Sequence, residues 1–270
     1  MDQLHRAEGW TEVLPHAVEP RRLLIAALLV IGISCTAAIP EVAAPPEVQE
    51  IVPLYFFAGH ALLAEYRSLG GDAPEQAIFK ELAQGTQDET LRNFIPPGAV
   101  LVSAGESEEK LKLTLNRVFW ELPTGERYAA AAQIVFTMAV LEEGKTIFLL
   151  DEVVPGAILD GNGRELTQPL TRDDFEDVRP WVEVQQPAAG AVISGDSFPV
   201  IASQRERGTV SLLVGGKSGP TVRLIDGTAQ VPIPQKTERS SGSETDAVLE
   251  ITVMDGDTRR VTRVPLTIRF

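Results

Sequence analysis

The chain has 270 residues, 44% of them hydrophobic, and a formal net charge of -14. That length and apolar content allow about two ordinary cores without disulfide staples, and the single cysteine, Cys35, excludes an internal disulfide and a thiolate zinc cluster. Residues 41 to 182 carry 24 acidic groups against 11 basic ones, which argues against nucleic acid as a partner and serves solubility.

The first predicted element lies in "RRLLIAALLVIGISCTAAIP", Arg21 to Pro40. Its 17 uncharged residues, 23 to 39, would span about 26 Å as a helix, at the short end for a bilayer. Arg21 and Arg22 precede it and the next basic residue is Arg67, so the positive-inside rule puts residues 1–22 in the cytoplasm as a tail and everything after Pro40 outside the membrane. A soluble core helix fits poorly, because the run has no polar face at helical spacing. "GISC" resembles the lipobox of bacterial lipoproteins: Ser34 suits the position before the cysteine, whereas Gly32 stands where leucine is usual. Segment 23–39 is therefore a signal anchor or a lipoprotein signal, a fully cleaved secretory signal being the third reading. Cys35 is either the candidate lipid-attachment residue or a small apolar side chain within a membrane helix. Residues 40–50, rich in Pro, Ala and Glu, read as a stalk linker.

Residues 51–180 form the next unit. "IVPLYFF" and "HALLAEYRS" are β-prone runs joined at Ala58 and Gly59, a hairpin signal, and Pro53 places the first strand near an edge. "DAPEQAIFKELAQG" predicts a helix with Asp72 as cap, Pro74 in the first turn and Gly85 at the end. "AVLVSA" and "EKLKLTLNRVF" read as paired strands, the second alternating Leu111, Leu113 and Leu115 with Lys110, Lys112 and Thr114. A second helix is expected in "TGERYAAAAQIVFTMAVLEEG", capped by Thr124, stopped by Gly144, and presenting Tyr128, Ala131, Val135, Met138 and Leu141. "KTIFLLDEVVPGAIL" supplies one or two strands, and "PLTRDDFEDV" a short turn capped by Thr171 and Asp174. The predicted fold class here is an α+β domain, a mixed or antiparallel sheet with two helices on one face.

Residues 181–270 change texture. Seven short runs, "WVEVQQP", "SFPVIAS", "TVSLLVGG", "TVRLID", "AQVPIP", "AVLEITVMD" and "RVPLTIRF", are separated by turns rich in Gly, Pro, Asp and Ser. That pattern predicts an all-β immunoglobulin-like sandwich, with "KTERSSGSETD" as a polar loop.

The blocks "VPLYFFAGHALLAEYR", "AIFKELAQG", "FIPPGAVLVS", "AAQIVFTMAV", "TIFLLDEVVPGAI" and "PLTRDDF", in that order, resemble the GerMN domain of bacterial sporulation and spore-germination proteins. "VEVQQPAAGAVISGDSFPVIAS" resembles the immunoglobulin-like domain that often follows it. The resemblance implies a membrane-anchored cell-envelope protein, a lipoprotein in some members, without catalytic activity, that binds or positions other envelope components in sporulation, germination or envelope signalling complexes. It implies no cofactor, and envelope or membrane proteins and the cell wall as partners.

Residues that could carry chemistry were weighed separately. "GDS" at Gly195 to Ser197 is similar to a hydrolase nucleophile block, but His60 is the one histidine beyond the tail and belongs to the other unit. "GGKS" at Gly215 to Ser218 cannot complete a phosphate loop, since Ser211 stands where its first glycine belongs. "DGNGRE" from Asp160 fails as a calcium loop at Arg164 and Glu165, and reads instead as a type I′ turn. Carboxylates such as Asp151 with Glu152 and Asp173 with Asp174 leave a cell-wall glycoside hydrolase as the alternative function. The leading expectation is a non-catalytic, membrane-anchored extracytoplasmic binding or scaffold protein, with the sheet edge near Pro53 and the outer sandwich strands as surfaces for a partner's strand.

Overall fold

The structure, a computed structural model, describes residues 50–69, 75–107, 109–141, 145–152, 156–204, 207–234 and 243–270. Cys35, the 23–39 segment, Asp72, Pro74 and Gly144 lie outside them. Among the described residues no helix is long and apolar enough to cross a membrane. The described residues are mostly β, with few helices.

β1 (Glu50–Ala58) and β2 (Ala61–Leu69) form an antiparallel hairpin from Glu50↔Leu69 to Ala58↔Ala61. Its two-residue turn opens on Gly59 at φ +72°, the left-handed backbone that such a turn asks of its first position. α1 (Glu75–Gln84) buries Ile78, Phe79 and Leu82 and stops at Gly85, also at positive φ. β3 (Leu101–Ser107) pairs antiparallel with β4 (Lys110–Leu115). The alternation in β4 holds: Leu111, Leu113 and Leu115 are buried, while Lys110 and Lys112 face outward.

The strand expected to run on through Phe119 ends at Leu115, and α2 (Arg117–Trp120) follows as a single turn. Asn116 makes the break. Its Oδ1 accepts from Val100 N–H (3.1 Å) and its Nδ2 donates to Gly98 O (2.9 Å), tying the end of β4 back to the start of β3. α3 (Thr124–Leu141) then crosses over to β5 (Thr146–Asp151), which pairs parallel to β4, as a helical crossover permits.

The arrangement of these layers differs from the single sheet with both helices on one face. Hairpin β1-β2 and the mixed sheet β3-β4-β5 are separate, and α3 packs against both β1 and β5. Every residue from Tyr128 to Met138 is buried, so α3 is a core helix apolar all round, not one covering a sheet with a single stripe. Two polar residues interrupt that apolar surface, Gln133 and Thr137. The 3₁₀ segment Arg172–Val178 begins as expected, with the Asp174 carboxylate accepting from the Thr171 N–H (2.7 Å) and hydroxyl (2.9 Å).

Among the described residues nine strands follow where the sequence predicts seven: β6 (Val182–Gln186), β7 (Val192–Ser194), β8 (Ser197–Gln204), β9 (Gly208–Val214), β10 (Lys217–Ser218), β11 (Val222–Arg223), β12 (Thr228–Pro232), β13 (Glu244–Asp255) and β14 (Thr258–Arg269). The two extra ones, β7 and β10, are too short to leave a periodicity. One sheet runs β10-β9-β13-β14-β7 with β11 also on β9, and the other runs β12-β8-β6. Their inward residues, among them Val200, Leu212, Leu249 and Val264, share one buried cluster. β13 takes in Glu244 to Asp246 of the expected polar loop. The 12-residue strands β13 and β14 are interior, and the strands at the sheet margins are short, which limits edge-to-edge association.

Trp181 joins the two cores. Its backbone N–H donates to Leu62 O (2.9 Å) and its indole Nε1 to Ala58 O (2.9 Å), while Ala58, Ala61 and Leu63 of the hairpin are buried in the second cluster.

Candidate functional site

A binding site made by strand addition needs a sheet edge whose backbone groups are unmet. The edge that runs on from Pro53 is closed at Tyr55 and Phe57. Tyr55 N–H donates to Thr137 Oγ1 (3.1 Å) and Tyr55 O accepts from Gln133 Nε2 (2.9 Å). Phe57 exchanges N–H to O bonds with Arg92 at 3.0 and 2.8 Å. Residues 53, 55 and 57 share one parity along the strand, so proline occupies a position where an amide N–H would need a partner and brings none. This explains Gln133 and Thr137: they are polar within a buried helix because they finish the outer edge of β1. Gln133 Oε1 also accepts from Phe94 N–H (2.7 Å).

β5 is closed in a similar way. Ile147 exchanges backbone bonds with Leu170 at 3.0 and 2.6 Å, and the Gln168 amide bonds Leu149 N–H (3.1 Å) and Leu149 O (3.0 Å).

β3 differs. It is the terminal strand of its sheet, and no described residue pairs with its outer side. A Cβ at Gly105 would meet no atom within 4 Å. Val100 is 53% exposed and Val102 46%, and a bulge between Leu101 and Ser103 leaves Val102 outside the register. Beside the start of β3 lies a cavity of about 470 Å³ walled by Phe79 and Ala83 of α1 with Ala99, Val100 and Leu101, with Gln76, Lys80 and Gln84 at the rim. Asn116 holds this floor in place, its own N–H donating to Val100 O (3.1 Å). Exposed backbone, two exposed valines and an apolar groove with one cation can accept an extended apolar segment. The signal in the sequence is the pair Val100 and Val102 ahead of the polar run Ser103 to Ser107.

The residues weighed for catalysis are not assembled. Ser197 opens β8, its Oγ accepting from Gln230 Nε2 (2.8 Å). His60 packs edge-on against Trp181, ring centroids 4.8 Å apart. Gly215 and Gly216 turn β9 into β10 with positive φ. The Asp160 loop is not a type I′ turn, which needs two successive positive φ values, because Gly163 alone has one. Its Asp160 carboxylate accepts instead from the N–H groups of Asn162 and Arg164, both at 2.9 Å, bonds that hold its pKa low. Asp173 is paired with Arg179 and Asp174 caps its turn. Among the described residues no three His, Cys, Asp or Glu side chains converge as a metal site.

Two further clefts hold carboxylates. In one of about 510 Å³, Glu65 accepts from Arg67 Nη2 (2.6 Å), Thr86 Oγ1 (2.5 Å) and Gln87 N–H (3.0 Å), while hydrogen bonds from Thr90 hold the Asp88 carboxyl below its usual range. In the other, of about 430 Å³, Glu183 is paired with Arg172, and burial, reinforced by the Glu183 charge, pushes the phenols of Tyr55 and Tyr66 up. A glycosidase pair requires one carboxyl kept protonated by its surroundings. Glu65 and Glu183 are bound to cations, and the hydrogen bonds to Asp88 favour its charged form.

No protein-family model matches the chain, and no curated protein matches it. Among solved structures, the chain is similar to the first GerMN domain of the sporulation protein GerM from Bacillus subtilis, at 12% identity and a TM-score of 0.39, covering 47% of this chain and 99% of that one. It is similar to the tandem GerMN domains of the same protein at 10% identity and a TM-score of 0.40, covering 83% of this chain and 61% of that one. It is also similar to the fibronectin(III)-like modules of Clostridium thermocellum CbhA, at 17% identity and a TM-score of 0.22, covering 33% and 93%. GerMN domains, the family that the sequence blocks resemble, are thus among the solved structures to which this chain is similar.

Proposed function

We propose that this chain is a non-catalytic protein of the bacterial cell envelope, a GerMN-like α+β layer followed by an immunoglobulin-like sandwich. Its N-terminal segment holds it at the cytoplasmic membrane, as a signal anchor or through Cys35, and it works by binding and positioning envelope or membrane proteins. The observation that carries this reading is the contrast among edges. β1 and β5 are closed by side chains and backbone from elsewhere in the chain, and β3 keeps an open side next to an apolar groove. Its occupant is an extended segment of an envelope protein, apolar at alternate positions to meet Val100, Val102 and the groove, with an acidic residue for Lys80.

The test places a photocrosslinking residue at Ser103 on β3 and, as control, at the exposed Val192 on β7, in intact cells. One envelope protein captured from Ser103 and not from Val192 is the expected result. The same set of proteins from both positions would overturn the assignment of β3. Turnover of peptidoglycan by the purified protein, lost on replacing a single carboxylate, would overturn the non-catalytic reading.

A further inference from the structure

The sandwich carries a second kind of surface. Most of its described cations are neutralised: Arg259 and Arg263 pair with Glu250, Arg260 with Asp255, and Arg269 with Glu244. Arg207 and Arg223, like Lys217, form no ion pair with a described carboxylate, in a chain with 14 more acidic than basic groups. Strand pairing brings the two together. Arg223 is opposite Thr209 in the β9-β11 register, the Leu224 N–H donates to Gly208 O, and Arg207 immediately precedes that residue, so the pairing brings the two arginines close together. Val210 and Leu212, of the other parity, are buried in the core.

Both arginines line a cavity of about 920 Å³, together with Gln185, Ser203, Gln204 and Asp226. Asp226 reaches this wall through a two-residue turn with Gly227, both at positive φ, closed by the reciprocal bonds of Ile225 and Thr228 at 2.9 Å. The turn accounts for its backbone conformation without any functional strain. Gln204 Oε1 is shielded from solvent and has no hydrogen-bond partner among the described residues, where buried acceptors are normally paired.

The geometry points to an anion-binding groove on the sandwich that takes an acidic peptide segment. Two guanidinium forks match carboxylates, and the amide and hydroxyl side chains match peptide N–H and C=O groups. Among the described lining residues Asp226 is the one carboxylate, and the amide and hydroxyl groups beside the arginines suit a peptide better than inorganic phosphate. This groove is independent of β3, and its failure would leave the β3 reading untouched.

The experiment titrates the full-length protein, held in a neutral detergent, with hexaglutamate, hexaglutamine and inorganic phosphate in separate calorimetric runs. Hexaglutamate is expected to bind, at least tenfold more weakly after Arg207→Ala or Arg223→Ala, unchanged after Arg269→Ala, and progressively more weakly as salt rises. Arg207→Lys with Arg223→Lys keeps the charge and loses the fork, and should recover only part of the affinity. Thermal melts of each variant confirm that these exposed positions leave folding intact. Equal binding by the alanine variants, equal binding of hexaglutamine, phosphate binding as tightly as the peptide, or no binding at all would each overturn the assignment.

Discussion

β1 and β3 both end a sheet in the first half of the chain, and the protein treats them in opposite ways. The outward groups of β1 meet a helix: Thr137 and Gln133 reach from α3 to both backbone atoms of Tyr55, and Arg92 completes Phe57. β3 meets a groove with apolar walls and two exposed valines. A buried edge must be satisfied from within, because an unmet amide in the core costs about 1 to 3 kcal/mol. An edge at the surface can be satisfied by water until a partner arrives. The difference separates what holds the fold from what is free to bind.

The largest effect should come from breaking the closed edge. Gln133→Leu keeps the volume but strips partners from Tyr55 O and Phe94 N–H, two buried or partly buried groups. It should destabilise by about 3 to 5 kcal/mol, read as a fall in the urea midpoint. Thr137→Val orphans the Tyr55 N–H alone and should cost about 1 to 2 kcal/mol. Equal effects from the two variants, or none from Gln133→Leu, would mean that the β1 edge is held by packing and not by these side chains.

Alkali probes the same edge more gradually. Burial raises the pKa of all three tyrosines, Tyr55 on β1, Tyr66 on β2 and Tyr128 at the start of α3. The folded chain therefore keeps phenol protons that the unfolded chain releases near pH 10. Stability is then fully present below about pH 10 and falls as pH rises above it. Absorbance of phenolate should stay low past pH 10 and rise together with the loss of the near-ultraviolet circular dichroism. Phenolate appearing at pH 10 in a fully folded protein would contradict the burial of these rings.

Local pattern made part of this legible in the sequence. The leucine and lysine alternation of β4, the Gly59 turn and the Thr171 cap are contained within a few residues, and each was readable. The layering is not, because the apolar positions of α3 do not show which elements pack against it. The informative residues were the polar ones, Gln133 and Thr137, four apart on one face of an otherwise apolar run. A polar residue kept in a core helix implies a backbone partner from another element. "NRVF" continued a strand pattern that Asn116 ends through its side-chain bonds to residues 98 and 100, contacts that depend on pairing with β3. Arg207 and Arg223, 16 residues apart, become neighbours only once β11 lies beside β9, and strand order is not written in either run. Pro53 correctly marked an edge, yet a proline cannot say whether water, a helix or a partner lies beyond it.

The smallest expected change in stability belongs to β3, and it is the one that tests the proposed function. Val102 sits in a bulge, outside the β3-β4 register and nearly half exposed, so Val102→Lys should alter the urea midpoint by no more than about 0.5 kcal/mol. A lysine on an open edge blocks strand addition, because its charge would have to be buried against the incoming chain. The variant should fold normally and lose the envelope partner captured from Ser103. β3 is short and bulged, features that discourage indiscriminate pairing, so on the proposed reading selectivity comes from the groove beside Phe79. Val102→Thr, which keeps the shape without the charge, should retain the partner. If Val102→Lys binds as the parent does, the partner's contacts lie elsewhere and the exposed valines are only surface.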